Sequence, residues 1–340
     1  MEKKLRWGIL GTASIAQTAF IPGVQDSRKC IIQAIASRQP QKAAEAAEKF
    51  NIPASYGSYE ELLQDPEVDA VYIPLPNHLH KEWTLKAAQA GKHVLCEKPV
   101  ALNAVEAAEM VTACSKAGVI FAEAFMYRYH PKHRRIQEIV DSGEIGTIRA
   151  IHGCFTYNDL KDKRNVRYQK HMGGGSIYDV GCYPISAARM ILGQEPLAAA
   201  VLASFSSEHE IDLMASGVIE FPDDVALTFD CGMSASPRCE LQVLGSKGRV
   251  ELPLAFGWEH DEEPPQLIVY EGDTRREERL GVFNSFALEA DAFADAVLED
   301  EMLPFGPDDA VSNMKVIDAC MKAAKEKAWV PIEADPAQRI

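Results

Sequence analysis

Gly8-Ile9-Leu10-Gly11-Thr12-Ala13-Ser14-Ile15-Ala16 is the stretch on which the fold turns. Apolar residues lead into Gly11, small residues follow, and Ile15-Ala16 begins a segment with helical spacing. A strand that turns on glycine into a helix opens a βαβ unit, and the backbone N–H groups at such a helix start hold a pyrophosphate. The match to GxGxxG is partial, because Ala13 and Ala16 stand where the second and third glycines would be. Taken alone, the turn equally fits simple packing of helix on strand.

The downstream pattern decides between those readings. Ile31–Ala36, Val68–Ile73, His93–Cys96 and Val119–Ala122 are short apolar runs. Between them Gln41–Phe50, Tyr59–Gln64, Lys81–Ala90 and Ala104–Lys116 place apolar residues three and four apart, as amphipathic helices do. Such alternation predicts a parallel sheet with helices on both faces. Beyond it come longer strand-like runs: Ile148–Tyr157, Leu197–Ser206, Met214–Phe221, Val225–Gly232, Cys239–Leu244 and Arg249–Leu252. Phe221–Asp224 and Gly245–Gly248 fit turns between antiparallel neighbours. Helices are expected over Ser285–Glu299 and Asp308–Lys327, the last burying Val311, Met314, Ile317, Met321 and Ala324. The expected architecture is an α/β Rossmann dinucleotide-binding domain, residues 1–125, followed by an α+β domain, residues 126–340, with a large, mostly antiparallel open sheet.

Composition narrows the class of function. The chain has 340 residues, 47% hydrophobic and 25% charged, enough for two cores. A formal charge of -15 argues against a general grip on nucleic acid or on an anionic membrane. Eight cysteines form no CxxC pair and sit mostly in apolar runs, as reduced cysteines of a cytoplasmic protein do. Lys3, Lys4 and Arg6 precede an uncharged run to Gln25, but Gly8, Gly11, Ser14 and Pro22 interrupt it, so a strand and helix read better than an export signal. His78/His80 and His130/His133 have metal-compatible spacing, yet no cysteine or carboxylate set accompanies them, and no metal is expected. Arg134 and Arg135 read as a solvated helix face.

After the second expected strand stand Ser37 and Arg38, where NAD-binding sheets usually carry an acidic residue for the ribose. A hydroxyl and a guanidinium there, with Lys42 nearby, suit a 2′-phosphate. The alternative is an ordinary helix start with Ser37 as a cap and Arg38 in solvent. NADP is therefore the expected cofactor, with NAD as the alternative. Two further motifs carry polar groups. Cys96-Glu97-Lys98-Pro99 ends a strand at the carboxyl edge of the sheet, where open parallel sheets bind ligands; an exposed Glu97–Lys98 ion pair is the plainer reading. Gly173-Gly174-Gly175-Ser176-Ile177-Tyr178-Asp179-Val180-Gly181-Cys182-Tyr183-Pro184 starts a helix on which Asp179 and Tyr183, four apart, share a face, although a packed helix could use the same spacing.

With these motifs the chain resembles the glucose-fructose oxidoreductase, inositol dehydrogenase and rhizopine-catabolism family, Gfo/Idh/MocA. The resemblance spans essentially the whole chain, including Pro76-Asn77-His78-Leu79-His80 and Glu123–Arg128. It implies that Lys98, the lysine of the Glu-Lys-Pro motif, is catalytic, and that His80 lines the nicotinamide pocket. Inositol dehydrogenases carry histidine at the place of Tyr183, whereas dimeric dihydrodiol dehydrogenases and bacterial xylose dehydrogenases resemble this chain in having tyrosine. The resemblance thus implies an aldose, a related sugar or a cyclic diol as substrate, and a homodimer or dimer of dimers formed through the outer face of the C-terminal sheet, where Leu202, Val218 and Leu227 are candidates.

Hydride transfer at a carbinol carbon needs a group to take the hydroxyl proton. Tyr183 suits that role if a neighbouring ammonium such as Lys98 lowers its pKa from about 10, and the alternative is that Lys98 itself polarises or deprotonates the substrate oxygen. Asp179 is expected to orient the hydroxyl and keep Lys98 charged. The expected cofactor contacts are Gly11, Thr12, Ala13, Ser14, Ile15, Ser37, Arg38, Lys42, Pro76, Asn77, His80, Glu97 and Lys98. Tyr127, Arg128, Tyr157, Asn158, Arg167 and Tyr168 are the expected substrate contacts. Two other classes stay open at this point: a sensor that binds the nicotinamide cofactor without turnover, and an NAD-dependent glycosidase with no net redox change.

Overall fold

A computed structural model describes residues 3–159, 164–257 and 266–333. It divides into two compact units, Met1–Tyr129 with Asn284–Val311, and His130–Phe283 with Ser312–Ile340. The sequence pattern had put everything after residue 125 in the second domain. Asn284–Val311 instead belongs to the first unit, because its helix has an apolar face that docks there.

The first unit is a six-stranded parallel sheet: β1 (Leu5–Leu10), β2 (Cys30–Ala36), β3 (Ala54–Tyr56), β4 (Ala70–Ile73), β5 (His93–Glu97) and β6 (Phe121–Ala124), in spatial order β3-β2-β1-β4-β5-β6. This is the doubly wound order, with its reversal between β1 and β4. The connections are α1 (Ile21–Asp26), α2 (Pro40–Phe50), α3 (Tyr59–Leu63), α4 (Asn77–Gln89) and α5 (Ala104–Ala117). Their ends are written locally. In α5, Asn103 caps the Glu106 N–H, Glu106 reaches back to the Leu102 N–H, and Gly118 leaves in the left-handed region. The returning helix, here α8 (Ser285–Leu298), buries Phe286, Ala290 and Phe293, and the Phe293 ring lies 5.0 Å from that of Trp7 on β1.

The second unit holds α6 (Pro131–Asp141), α7 (Cys182–Leu192) and a nine-stranded sheet. Its strands are β7 (Ile148–Asn158), β8 (Ala198–Phe205), β9 (Asp212–Glu220), β10 (Ala226–Gly232), β11 (Ser234–Gly245), β12 (Gly248–Leu252), β13 (Gln266–Glu271), β14 (Thr274–Arg279) and β15 (Val330–Pro331). The order is β14-β13-β12-β11-β7-β10-β9-β8-β15, antiparallel throughout except for β7 with β10. Both expected turns join antiparallel neighbours, β9 to β10 and β11 to β12.

Several details differ from expectation. In α9 (Pro307–Glu326), Met314, Ile317 and Ala324 are buried as expected, but Val311 and Met321 are only half-buried, and Ala310, Val316 and Cys320 take the inner positions. Leu227 is fully buried while Leu202 is 70% exposed, so alternation turns Leu227 away from the outer face. Arg134 is solvated, but Arg135 forks onto Glu278 of β14 at 2.7 and 3.0 Å. All eight cysteines are free, and only Cys239 is not fully buried. Among the described residues no helix is long and apolar enough to cross a membrane.

Candidate active site

In the first unit the expected cofactor residues gather at the carboxyl ends of the parallel strands. β1 ends at Leu10, and Gly11 turns at φ +109°, a conformation that L side chains rarely adopt. The Gly11 N–H donates to the Ala36 carbonyl at 2.8 Å, tying this turn to the end of β2. Gln17 Nε2 donates to the Thr12 carbonyl at 2.9 Å, and Thr12, Ala13, Ser14 and Ile15 are all at least partly exposed. First-turn amides of a helix lack intrahelical acceptors, so this exposed turn fits a dinucleotide pyrophosphate. Ala16 is fully buried, which explains why a small residue suffices in place of the third glycine.

At the end of β2 the Ser37 hydroxyl accepts from the Gln39 N–H at 3.2 Å and is mostly buried. Arg38 and Lys42 are exposed and have no carboxylate partner among the described residues. Arg38 lies beside the Tyr59 phenol, whose pKa burial raises while the guanidinium pulls it down. Two uncompensated cations next to the turn fit a 2′-phosphate.

Pro76 and Asn77 open α4, both partly exposed. His80 does not face the nicotinamide region as expected. It has no exposed surface, and its Nδ1 and Nε2 lie 3.1 and 2.7 Å from the Pro99 and Leu75 carbonyls. Burial pushes its pKa down to about 4. It is a brace between the start of α4 and the turn after β5. On that turn, Glu97 accepts a hydrogen bond from the Tyr72 hydroxyl and another from the Lys98 N–H, and Lys98 is partly exposed. Tyr72 is a neighbour the sequence reading missed; its place inside a fully apolar strand gave no signal.

Two expected substrate residues of this unit are packed instead. Tyr127 is 1% exposed. The Arg128 guanidinium lies 4.6 Å from both the Phe125 and Phe305 rings and pairs with Asp309 at 2.5 Å. A buried arginine needs such a partner, and Asp309 is remote in sequence.

In the second unit β7 organises the other candidates. Gly153, Phe155 and Tyr157 alternate onto one face of the strand. A Cβ at Gly153 would stand 2.5 Å from Pro184 Cβ, the Phe155 ring is 5.2 Å from that of Tyr183, and the Tyr157 hydroxyl donates to Asp179 Oδ2. Asp179 and Tyr183 therefore lie over the same side of the sheet. The geometry is not a plain α-helix, however, because Ile177–Gly181 forms a widened π-helical turn before α7. Phe256 completes the ring wall, 5.6 Å from Tyr183.

Arg167 Nε pairs with Asp179 Oδ2 at 3.0 Å, and the Tyr183 hydroxyl field adds to that of Asp179 in raising the arginine pKa. Burial and the Asp179 charge raise the Tyr157 pKa, so its phenol stays protonated. Asn158 is exposed on the opposite side of β7 from Tyr157, and Tyr168 is packed with Ile211 and Met233 and donates to the Asp159 carbonyl. The structure brings Tyr157, Arg167, Asp179 and Tyr183 together, packs the Tyr168 cluster against Tyr157, and leaves Asn158 out. Among the described residues no group of three or more His, Cys, Asp or Glu could hold a metal.

Known proteins match the chain over most of its length. A family model described as the oxidoreductase family, NAD-binding Rossmann fold, matches residues 5–125, and the GFO/IDH/MocA C-terminal domain model matches residues 133–251. D-xylose 1-dehydrogenase (NADP(+)) 2 of Haloferax volcanii is 37% identical over 330 residues, 97% of this chain and 100% of that protein. Trans-1,2-dihydrobenzene-1,2-diol dehydrogenase of Xenopus laevis is 30% identical over 275 residues, 79% of this chain and 80% of that one. Among solved structures, aldose-aldose oxidoreductase from Caulobacter crescentus complexed with glycerol aligns with a TM-score of 0.90 at 27% identity, covering 97% of this chain and 100% of that one.

Proposed function

Because the chain belongs to the GFO/IDH/MocA oxidoreductase family, we infer that it transfers hydride between a nicotinamide cofactor, NADP in preference to NAD, and a sugar, sugar derivative or cyclic diol. The observation that carries this reading is the group on β7 and α7: Tyr183 and Asp179 over one face of the sheet, with Tyr157 and Arg167 fixing the carboxylate. Relatives named for xylose, for a dihydrodiol and for aldoses support a polyhydroxylated substrate.

A bound nicotinamide cofactor would supply the hydride acceptor for carbinol oxidation and the hydride donor for the reverse reduction. The chain's own residues manage position and proton. Thr12–Ile15 would hold the pyrophosphate by backbone amides, and Arg38 and Lys42 would hold the 2′-phosphate. Asp179, oriented by Arg167 and by the Tyr157 hydroxyl, accepts a hydrogen bond from the substrate. Its charge is paired with that of Arg167. Tyr157 remains protonated and donates; it is not the base. Tyr183 and Lys98 are the proton-transfer pair, taking the hydroxyl proton as the carbonyl forms. A second copy of the chain covers the open face of the nine-stranded sheet, where Leu202 and Trp329 are 70% and 56% exposed.

The test is a panel of aldoses, aldose derivatives and vicinal diols mixed with NADP or NAD, following reduced-cofactor absorbance. Reduction of NADP by a member of the panel is the expected result. Tight cofactor binding with no turnover in either direction would favour a sensor, and release of an aglycone without net absorbance change would favour a glycosidase.

A further inference from the structure

The turn that carries Asp179 starts from a buried carboxylate. Asp212 opens β9, has no exposed surface, and its Oδ2 accepts from the Ser176 hydroxyl at 2.6 Å and from the Ile177 N–H at 2.7 Å. Ser176 is equally buried, and its Oγ lies 3.7 Å from Cys231 Sγ on β10. Backbone wraps closely around this group. Gly175 sits at φ +117°, where a Cβ would fall 2.2 Å from Asp212 Oδ1; a Cβ on Gly181 would fall 3.0 Å from Cys231 Sγ. The π-helical turn is thus pinned to β9 at its start and pressed on β10 at its end.

Stability alone gives no reason for such a residue. A buried carboxylate is costly, an apolar side chain of similar volume would fill the space, and Asp212 Oδ1 has no hydrogen-bond partner among the described residues. Burial raises its carboxyl to about 6, against the pull of the Ser176 and Ile177 hydrogen bonds. What the carboxylate does supply is direction: two convergent donors fix both the height and the rotation of the turn.

We propose that Asp212 is a positioning residue for the reaction, setting the placement of Asp179 and Tyr183 through Ser176 and Ile177 without touching substrate. The proposal rests on the reading that Asp179 and Tyr183 serve the reaction. It makes the Gly-Gly-Gly-Ser loop a clasp around a carboxylate, and it explains why Gly175 cannot carry a side chain.

Two variants test it. Asp212→Ala removes the acceptor, whereas Asp212→Asn keeps an oxygen for Ser176 and Ile177. Amide hydrogen exchange over residues 175–183 reports the placement without any need for turnover. The Ala variant should exchange faster there, with β7 and β10 unchanged, and lose about 10- to 100-fold in kcat at unaltered cofactor affinity. The Asn variant should recover to within a few-fold. Wild-type exchange over 175–183 in the Ala variant overturns the proposal whatever its turnover, as does loss of protection across the whole sheet or an Asn variant no better than Ala. Faster exchange with unchanged kcat would instead contradict the place of Asp179 and Tyr183 in the reaction, and the proposal with it. If the Ala variant does not fold, Ser176→Ala, which removes one of the two bonds, gives the same readouts in smaller measure. A wild-type protein inactive on every substrate would remove the functional reading while leaving the exchange result to stand.

Discussion

A guanidinium with no carboxylate beside it at the end of β2 has its full charge to offer a ligand. Charge-assisted hydrogen bonds of this kind contribute about 1.5 to 3 kcal/mol. Arg38→Ala should therefore weaken NADP binding about tenfold or more and leave NAD binding nearly unchanged, as read by paired titrations. Equal loss for both cofactors would contradict the assignment. At this scale the sequence singled out Lys98, Asp179, Tyr183 and Arg38 as candidates, because each stands at a fixed offset from a turn or a strand end. It could not announce burial. His80, Arg128 and Tyr168 are polar residues whose partners, Pro99, the Phe125 and Phe305 rings, and the Asp159 carbonyl, are brought in by the fold. Asp212 gave only the weak sign of one acid in an apolar stretch, Ile211-Asp212-Leu213-Met214.

Among elements, the register of α7 on β7 decides whether Tyr183 stands where it should. Gly153 permits that approach, since any side chain there would meet Pro184. Gly153→Val should cost roughly 1 to 3 kcal/mol by overpacking and lower kcat about tenfold or more, with cofactor affinity preserved. Wild-type kcat in a folded Val variant would show that this contact does not position Tyr183. Strands with a buried face were legible from apolar runs, as in β1, β4 and β10. β14 was not: Thr274-Arg275-Arg276-Glu277-Glu278-Arg279 has no apolar face, and its strand form comes from pairing with β13 and from the Arg135 and Arg276 contacts to Glu278. In α6, where Arg134 and Arg135 read as a solvated helix face, the sequence did not show that Lys132 and His133 are buried with the Leu254 and Ala255 carbonyls as acceptors.

For the whole molecule, acid should act through buried histidines. Burial holds His80 and His130 down at about 4 and His133 at about 3, against roughly 6.5 in an unfolded chain. Below about pH 6.5 the unfolded chain binds these protons first, so their contribution to stability is lost as pH falls toward the folded values. Asp212 and Glu289, raised by burial, act in the opposite sense, because the native state binds their protons first. Near pH 5 the three histidines outweigh the two acids, so the unfolded chain binds more protons and stability should fall on acidification. Denaturation midpoints that are flat or rising between pH 6 and about pH 5 would contradict this balance. Association belongs to the same scale. Leu202→Asp should convert the protein to a monomer in sedimentation velocity; a wild-type chain that is already monomeric at every concentration would contradict the open-face interface.

The division of the chain into a Rossmann half and a sheet half was legible because the hydrophobic period changes near residue 125. The return of Asn284–Val311 to the first unit was not, because an amphipathic helix does not say which core its apolar face will join. The central claim is that Lys98 and Tyr183 move the proton while other residues hold the cofactor. Single-turnover hydride transfer in Lys98→Ala and Tyr183→Phe, with cofactor affinity measured on the same samples, tests it most directly. The account predicts a loss of about 10²-fold or more in each variant with cofactor affinity intact. Wild-type transfer rates in either variant would contradict it.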